Sequence, residues 1–322
     1  MRVAGPAPPI STTGAWLDYL AIARVDHWIK NLFVLPGFVV ALSIDRGRIG
    51  QIDWNTVFLG ALALCITTSS NYVLNEILDA PSDRLHPHKS DRPVAAGRVN
   101  AKAAYMEWLL LAAAAALLFR FLPMRFDLTL IGLWVAGCAY NIRPFRTKDI
   151  PYLDVLSEAI NNPLRMLAGW YLTSTLAVPI TTLLISYWMA GCYFMAVKRY
   201  AEYREFDHPL LKAYRPSFRY YSEQSLLASI LFYGSHAMLF FGAFIVRYRL
   251  ELILSFPLVA LVMAIYFWLA FRPQSPVQHP ERLYREPLVI VPLAICAIVM
   301  TVLLFVDVPL LYRLFPPTQV QF

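Results

Sequence analysis

The segment Asn71–Arg98 reads NYVLNEILDAPSDRLHPHKSDRPVAAGR. Acidic, basic and histidine side chains are concentrated here, although 58% of the residues of the chain are hydrophobic. Ionisable groups beside a bilayer cost free energy and usually serve a function. The segment is therefore the first candidate for a binding or catalytic site, and the spacing of its polar residues indicates how they are arranged.

The amide and carboxyl side chains of this segment follow a four-residue repeat. Asn71, Asn75, Asp79 and Asp83 obey the repeat, and Glu76 adds a further oxygen donor. Residues four apart lie on the same face of a helix. Magnesium prefers oxygen ligands and usually reaches substrate phosphates through one or two carboxylates. The spacing therefore predicts a Mg²⁺ site formed by Asn75, Glu76, Asp79 and Asp83.

Basic residues come directly after the acids. Lysine and arginine side chains bind phosphate oxygens. Those that follow the acids are Arg84, Lys89, Arg92 and Arg98. Acids followed by bases predict a magnesium–diphosphate site. The alternative is a solvated loop whose lysines and arginines only set the orientation in the membrane, and the regular spacing of the acids favours the site.

Pro81 interrupts the predicted helix. Proline has no N–H to donate and clashes with the carbonyl four residues earlier. We therefore expect the helix to end or kink near Asp79, with Asp83 on a turn or at the start of a new helix.

The composition is that of an integral membrane protein. The chain has 322 residues, of which 15% are charged, and its mean hydropathy is +0.52. A membrane-spanning helix needs about 20 mainly apolar residues. We predict an all-α polytopic protein with about nine transmembrane helices in one bundle. The predicted spans are 28–44, 54–78, 103–121, 126–142, 152–173, 177–197, 223–246, 250–271 and 287–311.

The remaining organisation follows from charge and composition. Residues 1–15 are predicted to be a disordered tail, and 16–322 a single transmembrane catalytic domain. Most lysines and arginines fall in loops on one side of the nine predicted spans. Such loops face the cytoplasm, which predicts a multi-pass protein of the inner membrane with its acidic cluster on the cytoplasmic side. Because the basic residues lie in these loops, the net charge of +7 does not indicate nucleic-acid binding.

The four cysteines do not indicate a metal or disulfide framework. They are scattered singly through apolar segments, at Cys65, Cys138, Cys192 and Cys296. Neither a zinc site nor a set of disulfides is predicted from such spacing.

Two other polar features lie on the predicted cytoplasmic side or near it. Lys30, at the start of the first span, is either a phosphate ligand or a side chain anchored at the membrane surface. Asp154, Glu158 and Arg165 share one helical stripe, which is either part of the site or an internally paired network.

A third polar segment runs over residues 197–224. Its basic residues outnumber its acids and include Lys198 and Arg199, with Glu202 shortly after them. It is either a surface that faces anions or an amphipathic helix on the membrane.

The motif Asn75-Glu76-x-x-Asp79-x-x-x-Asp83, followed by Arg92-Pro93 and a small residue before Gly97, resembles the first signature of the UbiA-type intramembrane prenyltransferase superfamily. The resemblance covers about residues 20–310. It implies nine helices with the site in cytoplasmic loops. Glu76 stands where the superfamily usually has aspartate.

Within the superfamily the chain is most similar to decaprenyl-phosphate phosphoribosyltransferases. Three stretches carry this resemblance: Asp26-His27-Trp28-x-Lys30-Asn31, Leu153-Asp154-Val155 with Leu164-Arg165-x-x-Ala168-Gly169, and Lys198-Arg199-x-x-Glu202. The last stands where aromatic-acceptor prenyltransferases usually carry a second aspartate-rich motif. His27 replaces the usual glutamine.

The resemblance implies Mg²⁺-dependent transfer of a phosphoribosyl group from phosphoribosyl pyrophosphate to a polyprenyl phosphate. Asp79 and Asp83 would bind the metal with help from Asn75 and Glu76. The other predicted site residues are those for the leaving diphosphate (Lys89, Arg92), those for the lipid phosphate or ribose phosphate (Lys30, Arg165, Lys198, Arg199, Glu202), and Asp154 for the ribose or a second metal.

Two alternatives stay open at this point. One is prenyl transfer from a polyprenyl diphosphate to an aromatic or quinone-type acceptor, which needs the same first motif. The other is a transporter or lipid-binding protein, although the chain shows none of the internal repeats that are common in transporters.

Overall fold

The computed structural model describes residues 15–85, 89–205, 211, 215–278, 283 and 286–315. Apart from Ala15, where the first helix begins, the predicted tail lies outside the described residues. The described part is helical and contains no β-strand, which confirms the predicted all-α fold. The α-helices are α1 (Ala15–Ile22), α2 (Leu35–Ile44), α3 (Trp54–Asp83), α4 (Ala101–Leu118), α5 (Met124–Asn141), α6 (Leu153–Ala159), α7 (Asn161–Leu172), α8 (Thr181–Glu205), α9 (Glu223–Tyr248), α10 (Phe256–Leu269), α11 (Pro287–Phe305) and α12 (Pro309–Leu314). A 3₁₀ segment, Val25–Val34, joins α1 to α2.

Six helical segments of the described residues are long and apolar enough to cross a membrane. They are Trp16–Ile44, Trp54–Asp83, Ala101–Phe121, Glu223–Tyr248, Leu250–Leu269 and Pro287–Phe305. The predicted number of nine is not confirmed. The other three predicted spans correspond to α5, the α6–α7 pair and α8. The buried faces of these helices carry polar residues such as Asn141, Asp154 and Arg199. Polar side chains in those helices lower their hydropathy.

The prediction that the helix ends near Asp79 is wrong. Helix α3 continues through Pro81 and ends at Asp83. The proline lies within the last turn, so only the bond that its N–H would have donated to Ile77 is lost. The Arg84 N–H still donates to the Ala80 carbonyl at 3.2 Å. Asp79 and Asp83 therefore lie on one continuous helix.

The predicted span 152–173 is two short helices instead of one. Helix α6 ends at Ala159 and α7 begins at Asn161. Pro163 cannot donate to the Ala159 carbonyl, and the Asn161 side-chain amide donates to the Glu158 carbonyl at 2.9 Å. This break lets the two helices present their polar residues to different neighbours.

Helices α2 and α7 cross with their backbones in contact. A Cβ atom added at Gly37 would lie 1.8 Å from the Met166 carbonyl oxygen, and one added at Gly169 would lie 2.0 Å from that of Val34. Only glycine allows so close an approach. The crossing fixes α7, and with it Arg165, against the 3₁₀ segment that carries Lys30 and Asn31.

Replacing Gly169 by alanine is expected to destabilise the protein by about 1–3 kcal/mol, because its methyl group has no room beside the Val34 carbonyl. The matched control is Gly242→Ala in α9, where a Cβ would meet no heavy atom within 4 Å. That change is expected to leave the melting temperature in detergent unchanged or slightly raised. Equal melting temperatures for the two variants would contradict the close crossing.

Candidate active site

The carboxyl end of α3 carries the predicted acids on its inner side. Asp83 is fully buried. Its Oδ2 accepts a hydrogen bond from Arg92 Nη1 at 2.6 Å. Its Oδ1 is also buried and has no hydrogen-bond partner among the residues that the structure describes. One half of this carboxylate is therefore neutralised by the loop after α3, and the other half is available to a ligand.

Asp79, one turn earlier on α3, pairs with the segment that follows α5. Its Oδ1 accepts a short hydrogen bond from Lys148 Nζ and lies 3.5 Å from Arg146 Nη2. Lys148 Nζ also donates to Asn141 Oδ1 at 2.7 Å. Burial lowers the pKa of Lys148, and the Asp79 carboxylate opposes that shift. Asn75 precedes Asp79 by one turn on the same face.

Glu76 is paired with groups on other segments of the protein. Its Oε2 lies 3.5 Å from Arg24 Nη2, and its Oε1 accepts from the Val94 N–H at 3.4 Å. Both carboxylate oxygens thus contact protein groups, and the side chain ties α3 to the loop that carries Arg92. Among the described residues, no three His, Cys, Asp or Glu side chains are grouped so as to hold a metal ion.

The second half of the site is centred on Arg199 of α8. The guanidinium is 1% exposed and contacts three carboxylates at once. Nε donates to Asp154 at 3.2 Å, Nη1 to Glu202 at 3.0 Å and Nη2 to Glu158 at 3.1 Å. Each nitrogen of the guanidinium therefore donates to a carboxylate of the protein. The structure therefore places the predicted phosphate ligand Arg199, together with Glu202, in a buried ion cluster.

Asp154 connects this cluster to the segment before α9. The side chain is fully buried and accepts from Tyr221 Oη at 2.5 Å and from Ser217 Oγ at 3.2 Å. Arg215 Nη1 lies 3.7 Å from the same carboxylate. These contacts hold residues 215–221 against α6. In this conformation Asp154 therefore positions that segment.

Lys89 lies between the two halves. Burial lowers its pKa to about 8; the carboxylates of Glu202 and Asp83 act to raise it, while the charges of Arg92 and Arg215 act to lower it further. Glu202 belongs to α8 and Asp83 to α3. The loop after α3 therefore brings the first acidic motif next to the Arg199 cluster.

The other predicted basic ligands lie at the border of this region. Lys198 is half-buried, and its charge interacts with those of Glu202, Glu158 and Lys30. Arg165 is buried and donates from Nε to Asn31 Oδ1 at 3.1 Å. Asn31 in turn donates to Thr68 at 3.2 Å. Arg165 thus forms an internal network between α7, α3 and the 3₁₀ segment.

Three basic residues that contact the acids were not among the predicted ligands. They are Arg146, Lys148 and Arg215. Each lies in a segment between α-helices and contacts an acid far along the chain, and Arg146 also contacts the nearby Asp149 at 2.9 Å. The polar segments 140–148 and 197–224 were visible in the sequence, but nothing in their spacing indicated which acid they would meet.

The assembled site suits a polyanion. Acids and bases meet at one end of the bundle, and the bases outnumber the acids. The acids are Asp79, Asp83, Asp154, Glu158 and Glu202, and the bases are Lys89, Arg92, Arg146, Lys148, Lys198, Arg199 and Arg215. An excess of positive charge, most of it on half-buried side chains, beside a partly unpaired carboxylate favours a phosphate-bearing ligand, with or without a metal.

Replacing Arg199 by methionine is expected to destabilise the protein by about 3–5 kcal/mol, because three carboxylates would lose their shared buried partner. The control is Arg219→Met, since Arg219 is exposed. Thermal unfolding in detergent measures both. A melting temperature for Arg199→Met as high as that of the control would show that the cluster is not held by this guanidinium.

The chain is similar in sequence to known transferases. The chain is 29% identical over 184 residues to the decaprenyl-phosphate phosphoribosyltransferase of Mycolicibacterium smegmatis, which covers 56% of this chain and 55% of that protein. It is 25% identical over 202 residues to the protoheme IX farnesyltransferase of Alcanivorax borkumensis, covering 61% and 65%. The chain therefore spans about half to two thirds of the length of these relatives.

The fold is that of solved UbiA homologues. The structure of a homologue from Archaeoglobus fulgidus bound to GPP and Mg²⁺ superposes with a TM-score of 0.66 at 19% identity, covering 88% of this chain and 99% of that one. The model of the UbiA prenyltransferase family matches residues 34–286. The chain belongs to the UbiA prenyltransferase family.

Proposed function

We propose that the protein transfers a phosphoribosyl group from phosphoribosyl pyrophosphate to a polyprenyl phosphate in a Mg²⁺-dependent reaction. The observation that carries the proposal is the difference between the two halves of the site. Near α3, Asp83 keeps a buried oxygen without a described partner. In the other half, Asp154, Glu158 and Glu202 all contact Arg199. The first half suits one metal-bound diphosphate. In the second half the acids are already paired with Arg199, which leaves Lys198 and Arg215 beside them as the bases for an anion.

The similarity to a named phosphoribosyltransferase supports this choice of donor. Aromatic-acceptor enzymes of the superfamily usually carry a second aspartate-rich motif where this chain has Lys198-Arg199-x-x-Glu202. A basic segment at that position fits a reaction in which both substrates bring phosphate groups.

The residues at the end of α3 fit a magnesium ion. A buried carboxylate oxygen without a partner costs free energy, and a divalent cation at Asp83 Oδ1 would remove that cost. We propose that Asp79 and Asp83 bind Mg²⁺, with Asn75 assisting. Glu76 is left out because its oxygens contact Arg24 and Val94. When bound, Mg²⁺ would offset the negative charge of the diphosphate.

The protein's own bases would stabilise the charge that moves during transfer. The bond between the anomeric carbon and pyrophosphate breaks, and the pyrophosphate leaves with the electron pair beside Lys89 and Arg92. An oxygen of the lipid phosphate forms the new bond to the anomeric carbon. Because this nucleophile is anionic at pH 7, no strong general base is required. Orientation and fixed charges supply the rate enhancement.

The remaining predicted ligands divide into two groups. We propose that Lys198 and Lys30, together with Arg215, bind the lipid phosphate or the ribose phosphate. Arg199 and Arg165 act as positioning residues, because their donors already contact Glu202 and Asn31 respectively. Asp154 holds the 215–221 segment in place.

We further propose that residues 16–322 act as a single catalytic unit in the inner membrane, with the site facing the cytoplasm. The support is the excess of lysine and arginine in the loops at the site end of the bundle.

The second candidate function is prenyl transfer from a polyprenyl diphosphate to an aromatic or quinone-type acceptor. Similarity to a farnesyltransferase supports it. The same metal site would bind the diphosphate, and an allylic cation would form when it leaves. The two functions differ in the donor, so the donor is what an assay has to identify.

Purified protein supplied with labelled phosphoribosyl pyrophosphate and polyprenyl phosphate is expected to form a labelled lipid. Prenyl diphosphate with hydroxybenzoate is expected to give no product. Asp83→Asn should reduce turnover at least about a hundredfold, because the charge that holds the metal is removed. The matched control is Asp91→Asn, which changes an exposed aspartate in the loop after α3. If product formed only from prenyl diphosphate and hydroxybenzoate, the proposal that phosphoribosyl pyrophosphate is the donor would be wrong.

Lys148→Met is expected to tighten the binding of a divalent cation about tenfold in the absence of substrate. The ammonium of Lys148 pairs with Asp79, and its removal leaves the carboxylate to the cation. Isothermal titration with Mn²⁺ measures the effect, and Lys102→Met, at an exposed lysine, is the control. Unchanged affinity would show that Asp79 is not a metal ligand.

A further inference from the structure

A second concave surface lies between α3, α4 and α5. It is a groove of about 540 Å³, a volume within the range of small-ligand sites. Its walls are mainly apolar and include Leu74, Leu78, Tyr105, Trp108 and Ile142. No part of the proposed function uses this groove.

The groove lies on a different side of α3 from the catalytic acids. Successive residues are about 100° apart around a helix, so Leu74 and Leu78 lie roughly 100–180° from Asp79 and Asp83. The apolar wall of the groove therefore lies away from the catalytic acids, whereas its polar rim, which includes Ser82, Asn141 and Arg146, adjoins them.

One wall of the groove is pre-formed. The rings of Trp108 and Trp134 stack with centroids 5.6 Å apart and an interplanar angle of 8°. Trp134 Nε1 donates to Ser70 Oγ at 3.1 Å, and Ser70 Oγ donates to the Trp108 carbonyl at 3.0 Å. These contacts hold the indoles in place, so an apolar chain would meet a rigid surface there.

One end of the groove is cationic. Arg143 and Arg146 both line it, on the segment directly after α5. Arg143 is exposed, and it makes no hydrogen bond or ion pair with the residues that the structure describes. Arg146 contacts the Leu78 carbonyl at 3.4 Å and Asp79 at 3.5 Å.

The position of the groove near the ends of the helices indicates what kind of molecule would bind there. It is formed by the end of α3, the start of α4 and the end of α5, where membrane-spanning helices reach the head-group level. An apolar wall below two arginines matches a lipid with an anionic head group, and basic pockets between membrane helices bind such head groups.

We propose that the groove binds one anionic phospholipid of the surrounding bilayer. Its phosphate contacts Arg143, and one acyl chain lies along Leu74, Leu78 and Trp108. The site is distinct from the one that takes the lipid substrate. It adjoins the metal site through Arg146, which contacts Asp79, and through Asn141, which accepts from Lys148.

Native mass spectrometry of the detergent-purified protein tests the proposal. The protein is equilibrated with equal amounts of phosphatidylglycerol and phosphatidylcholine that carry the same palmitoyl and oleoyl chains. The wild type is expected to retain one phosphatidylglycerol in preference to phosphatidylcholine. Arg143→Gln should abolish that preference, whereas Arg120→Gln, at an exposed arginine beyond the other end of α4, should preserve it.

Two further measurements test the contact with the acyl chain and the alternative that the groove binds the lipid substrate. Leu78→Trp fills the groove and should reduce retention of both phospholipids, while Arg143→Gln changes only an exposed side chain and leaves the fold intact. Retention of phosphatidylglycerol by Arg143→Gln at the wild-type level would overturn the proposal. Displacement of phosphatidylglycerol one for one by polyprenyl phosphate would also overturn it, because the groove would then be a substrate site.

Discussion

The buried guanidinium of Arg199 is the contact on which the candidate site depends. It joins α8 to Asp154 and Glu158 of α6, and Asp154 in turn holds the segment before α9 through Tyr221 and Ser217. Without such a partner these three carboxylates would repel one another, and the buried Asp154 and Glu202 would remain poorly solvated. The geometry of the second half of the site therefore follows from one cation that does not itself face the ligand.

Each acid near α3 also has its own base, but the arrangement there is less complete. Lys148 and Arg92 neutralise one oxygen of Asp79 and one of Asp83. The second oxygen of Asp83 is left without a described partner. A site of this kind is stable without a ligand because its charges are paired, and it still offers a carboxylate oxygen to an incoming cation. The half near α3 can therefore accept a cation, whereas the acids around Arg199 are already paired.

The sequence allowed the helical membrane architecture and the face shared by Asn75, Asp79 and Asp83 to be predicted, because both depend on local spacing. It did not allow the effect of Pro81 to be predicted correctly, since the cost of a proline depends on how close it lies to the end of the helix. The division of 152–173 at Ile160 was missed for a related reason, because the Asn161 side chain replaces a backbone donor.

The pairing of acids with bases was beyond reach of the sequence. Lys148 lies 69 residues from Asp79, and only the fold brings the two together. Glu76 was predicted to be a metal ligand because it lies three residues before Asp79, near the same face of the helix. Contacts with Arg24 and Val94 are what orient it.

The glycine contacts between α2 and α7 have a consequence for motion. Two backbones that touch at Gly37 and Gly169 cannot slide past each other without a collision of main-chain atoms, and packed helices normally shift by such sliding. Shear is thus blocked along this seam. Any rearrangement that admits a long hydrocarbon tail has to take place at other helix boundaries, with α2 and α7 moving as one rigid body.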